Sequence, residues 1–312
     1  MTTNVPQHLN PECRHDFVLL FDVLDGNPNG DPDGGNLPRT DPETMEGLVT
    51  DVCLKRKIRN YVDLVGEDQA PNMIYVQNKG VALNDMHAKA YTALDLKATG
   101  TKQQRDDVDK ARKWMCENFY DIRMFGAVMT TGVNCGQVRG PVQMTFARSL
   151  DPIMPLDVAI TRIAITKPED AKVEVIDEDG KDKGKGGKIT EIGRKAMIPY
   201  GLYRGHGFFS PHLAAQTGVT QKDLELFWDA LQKMWDFDRS ASRGMMALRG
   251  LYIFSHENKL GNAPAHKLFD KINTKLKNPN QPPRKFSDYE EIPAIPEADL
   301  PQGVTLTCLS KD

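Results

Sequence analysis

The stretch FDVLDGNPNGDPDGG, residues 21–35, decides how the chain begins to fold. The apolar segment that leads into it, residues 17–23, carries apolar side chains on both alternating faces, which predicts a strand buried on both sides. The glycines and prolines that follow, such as Gly30 and Pro32, interrupt that strand. Glycine permits a close approach of the backbone, so such a loop can present bare N–H groups to a ligand.

A cationic helix is predicted after this loop, over residues 48–65. Its apolar side chains recur at helical spacing and form one stripe: Leu54, Ile58, Tyr61, Val62 and Val65. Lys55 and Arg59 lie one turn apart beside the stripe with Arg56 next to them, and Lys57 is expected on the opposite side. A strand, a Gly/Asn loop and a cationic helix suit a polyanion held by its backbone. A solvated helix face after an ordinary loop accounts for the same residues.

The loop is also acidic, which leaves a catalytic alternative open. Asp25, Asp31, Asp33 and Asp41 are chemically suited to Ca²⁺ or Mg²⁺, but the EF-hand spacing with its terminal Glu is missing. No Gly-Lys-Ser/Thr follows the glycines, so this is not a Walker loop. A metal-dependent RNA endonuclease centred on Asp25, Asp31 and Asp33 is therefore one alternative reading.

Composition limits the class of protein. The chain has 312 residues, enough for one elaborate domain or two, and a formal net charge of −3, so any nucleic-acid-binding surface must be local. The 5 cysteines include no C-x-x-C pair, which favours a reduced, cytoplasmic setting over a disulfide framework or zinc site. No signal peptide or membrane span is recognised, so we expect a soluble protein that does not contact membranes.

The middle of the chain predicts a helical insertion and then a long hairpin. A helix is predicted over residues 101–119 with Thr101 as its N-cap. Residues 125–141 are small and polar and predict a loop that leads into a strand at Val142. From Asp151 to about residue 192 the pattern predicts a protruding hairpin, whose apolar residues need a partner. Its lysine-rich tip, Lys181–Lys188, is expected to be flexible.

One bend in this region combines two large apolar side chains with two prolines. Ile153 and Met154 lie between Pro152 and Pro155, where regular strand pairing is disfavoured. Two interpretations remain open: either this pair packs in the core under the hairpin, or Met154, helped by Ile153, packs against a displaced RNA base.

The last third of the chain predicts a strand, a helix and a strand. Residues 194–203 form a strand pattern, and RGHGFF, residues 204–209, partly matches the RNA-recognition-motif signature, although a Gly-rich turn explains it equally well. Thr220 and Asp223 form a capping signature for a helix that ends near Phe237, and residues 245–254 predict a buried strand. The element order is strand, helix, strand, strand, helix, strand, so the chain is predicted to be α+β with an RRM-like, or ferredoxin-like, core.

Several long motifs resemble one known family. They are GNPNGDPDGGNLPRTDPETMEGLVTDVCLKRKIRNYV, FGAVMTTGVNCGQVRGPVQMTFARSLDPI, GRKAMIPYGLYRGHGFFS and DRSASRGMMALRGLYIF. Together they resemble the backbone subunit of type I CRISPR Cascade complexes, the Cas seven family, and most nearly its subtype I-C branch. The resemblance implies an RRM-like palm (residues 15–66, 125–149 and 194–256), a helical finger insertion (67–124), a β-hairpin thumb (150–193) and a C-terminal extension (257–312) on the palm or a neighbour.

The same resemblance implies a function without catalysis. Such a subunit binds CRISPR guide RNA (crRNA), polymerises head-to-tail with other copies of itself, and leaves the guide free to pair with a target DNA strand. Other partners would be the guide-end-capping and large Cascade subunits and, indirectly, a recruited helicase-nuclease. No cofactor, metal or catalytic residue is expected. A lone RRM-type RNA-binding protein remains a further alternative.

The expected RNA-binding residues are basic, amide or aromatic side chains within the motifs. They are Asn27, Asn29, Arg39, Lys55, Arg56, Arg59, Gln137, Arg139, Arg162, Arg194, Tyr203, Arg204 and His206. Ile153 and Met154 are the expected base-displacing pair of the thumb.

Overall fold

A computed structural model describes residues 5–77, 79–97, 103–164 and 191–311. The strands are β1 (Arg14–Gly26), β2 (Gly30–Asp31), β3 (Leu37–Pro38), β4 (Glu46–Val49), β5 (Gly126–Met129), β6 (Gly136–Arg139), β7 (Val142–Met144), β8 (Ala147–Pro152), β9 (Leu156–Arg162), β10 (Glu191–Phe209), β11 (Met245–His256) and β12 (Val304–Lys311). The helices are α1 (Asp51–Gly66), α2 (Leu83–Ala93), α3 (Arg105–Asn118), α4 (Tyr120–Phe125), α5 (Pro211–Thr217), α6 (Gln221–Phe237) and α7 (Ala265–Phe269).

The main sheet has β1 near its centre. Its order is β12-β11-β1-β10-β8-β4, with β7 and β9 also paired to β10. The strands β1, β8, β10 and β11, with α1 after β1 and α6 before β11, occur in ferredoxin-like chain order, and they lie in the sheet as β11-β1-β10-β8. The predicted α+β, ferredoxin-like class is confirmed. As predicted, β1 is buried on both faces.

Helices α1 and α6 cover one face of this sheet. Phe17 and Phe21 of β1 lie against Trp228 and Trp235 of α6, with ring centroids 5.2 Å and 4.6 Å apart. The predicted α6 cap is present, because Thr220 and Asp223 exchange hydrogen bonds as a capping box. This face therefore holds the main hydrophobic core, as the helical periodicity indicated.

Two residues of α1 differ from the predicted pattern. Val65 is exposed, so the buried stripe stops one turn earlier than expected. Lys57 was expected to point away from the core, but its side chain is only 2 % exposed and forms an ion pair with Asp238. The carboxylate at the end of α6 offsets the cost of burying the ammonium group, and spacing within α1 alone could not reveal it.

The C-terminal extension covers the opposite face of the sheet. Val18 and Leu20 of β1 pack there against Leu268, Phe269 and Ile272. The chain then returns to the sheet, where β12 pairs antiparallel with β11. Both faces of β1 are buried because different parts of the chain cover each of them.

A second hydrophobic core lies under α2 and α3. It includes Met86, Met115 and Phe119, and it continues into Met129 and Cys135 beyond the α-helices. The buried Arg123 of α4 joins this unit to α6 through an ion pair with Asp223, with 2.6 Å between Nη2 and Oδ1. Helix α3 begins at Arg105, and the predicted cap Thr101 lies outside the described residues.

Residues 125–141, predicted as a loop, contain two strands, and the Gly-rich turn that was one of two interpretations of residues 204–209 is part of a strand. Within residues 125–141, β5 and β6 form an antiparallel hairpin. β10 is continuous to Phe209, so RGHGFF is not a turn. Tertiary packing explains why the strand continues through these glycines. A Cβ at Gly207 would lie 1.9 Å from the ring of Phe17, so glycine at this position lets β10 pass close to that ring.

The long hairpin predicted after Asp151 is formed by β9 and the first part of β10. Its register runs from Leu156 opposite Met197 to Arg162 opposite Glu191. The lysine-rich segment Lys181–Lys188 lies outside the described residues. Among the helices of the described part, none is both long enough and apolar enough to cross a membrane.

Candidate nucleic-acid interface

The end of β1 is held tightly against the loop between α6 and β11. A Cβ at Gly26 would lie 1.9 Å from the carbonyl oxygen of Arg243, so only glycine fits without displacing the backbone. The N–H of Asn27 donates to the carbonyl of Ser242 at 2.8 Å. This packing brings Arg243 close to the first turns of α1, although nearly two hundred residues separate Arg243 from the start of that helix.

The glycine-rich loop is also tied to the first turn of α1. Thr50 caps the helix by accepting from the N–H of Cys53 at 3.2 Å, and its own N–H donates to Asn29 Oδ1 at 2.9 Å. The Cys53 thiol donates to the Pro28 carbonyl at 3.4 Å. Asn27 is buried, and its Nδ2 donates to the carbonyl of Asn36 at 2.7 Å. Asn27 and Asn29, expected to bind RNA, instead shape the loop in this structure.

Four cations act electrostatically on the Cys53 thiol. Burial raises the pKa of Cys53, and the positive charges of Lys57, Arg243, Arg39 and Arg56 act in the opposite direction. We call these four residues the Cys53 cation cluster. Two of its members come from α1, one from the loop before it and one from the loop after α6. Sequence reasoning missed Arg243, because only the tertiary fold brings it there.

The charges of this cluster are incompletely neutralised. Asp238 pairs with both Lys57 and Arg243, and Asp31 lies 3.5 Å from Arg39. Arg39 Nε is buried and has no hydrogen-bond partner among the described residues. Arg56 is half-buried, and the described residues include no carboxylate paired with it. A cluster with spare positive charge and a half-buried guanidinium group at Arg56 is suited to an anion such as phosphate.

Lys55 and Arg59 lie on another side of α1, beside Phe125. Their charged groups are 5.7 Å and 5.3 Å from the Phe125 ring centroid. Lys55 pairs with Asp51 at 3.0 Å, and Arg59 pairs with the buried Asp121 at 2.7 Å. Arg59 thus connects α1 to α4 through an ion pair, so it has a structural role in addition to its positive charge.

A groove of about 1180 Å³ opens next to Phe125. Gln137 and Arg139 of β6 line it, together with Arg112 and Lys113 of α3. Arg112 and Lys113 were not predicted from the sequence, because adjacent basic residues on a helix usually lie on its solvent-exposed face. Arg112 is paired with Asp109 at 2.8 Å. The groove is therefore mixed in charge rather than strongly cationic.

The bend before β9 separates Ile153 from Met154. Ile153 is 5 % exposed and belongs to the main core, and its N–H donates to the carbonyl of Met45 at 2.9 Å. Met154 is 73 % exposed. The expectation that Ile153 helps to displace a base is wrong for this conformation, because the side chain fills core space. Met154 remains accessible.

The hairpin presents apolar and charged side chains to solvent. Val158 and Ile160 of β9 and Ile192 of β10 are all exposed. Arg162 is exposed as well, and Arg194 is exposed and paired with Asp157 at 2.6 Å. Val158 and Ile160 share one face of the hairpin, whereas Ile192, which pairs with Thr161, lies on the other face. Clustered exposed apolar side chains of this kind are typical of surfaces that contact another molecule.

Three predicted RNA-binding residues of β10 are covered. Tyr203 is fully buried and stacked on Phe21, with 5.4 Å between ring centroids. Arg204 donates to the carbonyl of Phe269, and His206 stacks on that ring at 4.5 Å. Burial and the nearby Arg204 lower the pKa of His206 to about 4, so the imidazole is neutral at pH 7. Tyr203 cannot contact RNA in this conformation, because it lies in the core. Arg204 and His206 are half-buried, and the C-terminal extension engages both side chains.

The acidic side chains of the glycine-rich loop serve the loop itself. The N–H of Asp33 donates to Asp31 Oδ1 at 3.2 Å, and Asp31 is the partner of Arg39. In the ranges that the structure describes, no three His, Cys, Asp or Glu side chains converge in a way that could hold a metal ion. Asp25, Asp31 and Asp33 are therefore not brought together as a metal site.

The fold and the cation cluster define a class: an α+β protein with a ferredoxin-like sheet and a local cationic surface at the β1–α1 junction. The family model described as CRISPR-associated protein Cas7 matches residues 13–294, and the chain belongs to this family. A curated relative from Haloferax volcanii, named CRISPR-associated protein Cas7, is 27% identical over 243 residues. That alignment covers 70% of this chain and 64% of the relative, so the chain spans less than two thirds of the relative's length.

Solved structures of CRISPR complexes contain similar chains. A chain of a CRISPR RNA-guided surveillance complex in a pre-nicking state has a TM-score of 0.45 and 13% identity, with 77% of this chain and 78% of that chain covered. A second surveillance complex gives 0.43 and 14%, with 77% and 68% covered. A chain of a Type III-B Cmr-beta complex bound to cognate target RNA gives 0.39 and 11%, with 77% and 61% covered.

Proposed function

We propose that this protein is a crRNA-binding backbone subunit of a type I Cascade complex, closest to subtype I-C. One observation carries the proposal: the Cys53 cation cluster, in a Cas7-family chain, has more positive than negative charge, and among the described residues no carboxylate is paired with Arg56. RNA phosphates would take the place of the missing anions. Such a contact recognises the RNA backbone and not its sequence. A subunit that must accept many different guides requires this kind of recognition.

In this proposal the ferredoxin-like sheet with α1 and α6 is the palm, and the α2–α4 unit is the finger. The β9–β10 hairpin is the thumb, and the segment after residue 256 is the C-terminal extension. Copies of the chain associate head-to-tail, so that the exposed apolar residues of one thumb are buried by the next copy. A heterologous contact of this kind produces a helical filament along the RNA.

Met154 is the proposed base-displacing residue. The Met154 side chain projects from a bend between two prolines, next to the core residue Ile153. The backbone at Met154 is therefore held in place, while the side chain remains exposed. A methionine in this position can pack against a base that has left the stack, at a modest unstacking cost. Intervening bases would stay free to pair with target DNA, and cleavage would be left to a recruited helicase-nuclease.

Imaging of the protein purified after co-expression with a CRISPR transcript tests the proposal. The expected result is a ribonucleoprotein in which copies of the chain repeat at a regular interval along intact RNA, together with guide-end-capping and large subunits. A monomer on short RNA would instead support the lone RNA-binding alternative. Cleavage of the RNA at regular spacing in Mg²⁺, abolished by Asp31→Ala, would support the endonuclease alternative.

A further inference from the structure

The outer edge of β12 is an open strand edge. β12 is the last strand of the sheet, and in the described part of the chain it pairs with β11 alone. The N–H of Glu257 donates to the carbonyl of Gly303, so the backbone groups of Gly303 point towards β11. In an antiparallel pair this direction alternates from residue to residue, so the backbone groups of Thr305 and Thr307 also point towards β11. The N–H and C=O of Leu306 then point outwards, and no described residue bonds to them.

This edge lacks the usual protection against pairing. Residues 304–309, VTLTCL, contain no charge and no proline, and they are rich in residues that favour strands. Natural sheet edges are ordinarily blocked by lysine, proline, a β-bulge or a covering segment. The pairing of β12 with β11 is irregular at Leu309, so the template for another strand is the regular part of β12 before it, which contains Leu306.

An apolar pocket of about 260 Å³ lies beside the edge. Leu306 lines it from β12, and Ile292, Ile295 and Leu300 line it from the C-terminal extension. Leu306 thus contributes its outward backbone to the edge and its side chain to the pocket. A strand laid along β12 would place a residue opposite Leu306 on the pocket side of the sheet.

The rim of the pocket is acidic. Glu297 lines the pocket, and the segment 290–299, EEIPAIPEAD, contains further carboxylates and no basic residue. Pairing of β12 with β12 of a second copy would bring two such rims together, which like-charge repulsion disfavours. The charge instead favours a strand that carries lysine or arginine.

From these observations we infer that β12 is a docking edge for an extended segment of another protein, by strand addition, with one aliphatic side chain in the pocket and basic residues beside it. Main-chain bonds would supply affinity, and the pocket and Glu297 would supply specificity. The inference concerns a surface apart from the Cys53 cation cluster and does not depend on RNA binding.

A peptide titration of the full-length protein tests it. The probe is fluorescein-labelled KTITKTK, which as a strand places Ile and Lys on one face and Thr on the other. We expect saturable binding in fluorescence polarisation and slower hydrogen exchange at the Leu306 amide. The peptide KTGTKTK should bind at least tenfold more weakly, because burial of an isoleucine alone corresponds to that factor. The peptide ETITETE keeps the isoleucine and should also bind at least tenfold more weakly, because its glutamates face the carboxylate of Glu297.

Two protein variants address the pocket and its charge separately. Ala294→Trp should fill the pocket, and Glu297→Lys should repel the probe, each with at least a tenfold loss. Glu225→Lys on α6 makes the same charge change outside the pocket lining and should leave binding unchanged. Thermal melting checks that each variant folds. No saturable binding, equal binding of KTGTKTK, or unchanged exchange at Leu306 would overturn the inference.

Discussion

The sharpest test of the proposed function removes positive charge from the Cys53 cation cluster without unfolding the protein. Arg56→Gln is the first variant, because the structure describes no carboxylate partner for Arg56. Arg243→Gln is the second, since Asp238 keeps its ion pair with Lys57 when Arg243 is lost. Arg56→Gln breaks no ion pair with the described residues and should cost no more than about 0.5 kcal/mol of unfolding free energy. Arg243→Gln breaks the ion pair with Asp238, so its melting temperature is measured first.

The magnitude follows from counterion release. For single-stranded nucleic acid, each phosphate contact contributes about 0.7 to the slope of log affinity against log salt. One lost contact therefore weakens binding about fivefold at 0.1 M salt, or ~1 kcal/mol, and two lost contacts weaken it about twenty-five-fold. The effect should be the same for RNAs of different sequence, because phosphates carry no sequence information.

The assay is filter binding of single-stranded RNA over a series of salt concentrations, with two unrelated RNA sequences. Lys233→Gln serves as the matched control, because it removes the same charge from α6, where Lys233 pairs with Asp229 at 2.6 Å. The control should keep the wild-type slope. A slope that Arg56→Gln and Arg243→Gln leave unchanged, in variants with wild-type melting, would refute the assignment of the cluster to RNA.

Three further outcomes are expected. Met154→Ala should leave the melting temperature unchanged and remove the periodic nuclease footprint on bound RNA, whereas Ile153→Ala should cost about 2–5 kcal/mol of stability in urea denaturation; equal melting of the two would contradict the burial difference. Gly207→Ala should destabilise the chain severely in the same assay, because its Cβ would overlap the Phe17 ring, and wild-type melting would count against the close approach. Burial lowers the pKa of His15 to about 4, so its contribution to stability, complete above about pH 6.5, should fall by up to about 3 kcal/mol as the pH drops towards 4. Urea denaturation at pH 7.5 and 4.5 should show a smaller difference for His15→Gln than for wild type.

Much of the fold was predictable from local pattern. The two-sided apolar run gives β1, the 3.6-residue stripe gives α1 and α6, and Thr220 with Asp223 gives the cap of α6. These signals are readable because each depends on residues a few positions apart. The element order then restricts the topology to the ferredoxin-like class that the structure confirms.

The candidate site was predicted only in part. Arg39 and Arg56 were identified and both act on Cys53, whereas Arg243 was missed because its approach requires the packing of Gly26 against a distant loop. Tyr203 carries a side chain of suitable type but is buried, and Arg204 and His206 are partly covered by Phe269, far along the chain. Side-chain chemistry is visible in a sequence, but accessibility depends on what packs over it.

The sequence by itself determined the buried strands β1 and β11, the amphipathic helices α1 and α6, and the presence of cations after a glycine-rich loop. Tertiary structure alone decided which of those cations gather around Cys53, that Ile153 is buried while Met154 is exposed, and that β12 is left at the edge of the sheet. The physical reason is range. Periodicity and capping arise from neighbouring residues, whereas burial, charge pairing and strand order depend on segments brought together by the packing of the whole chain.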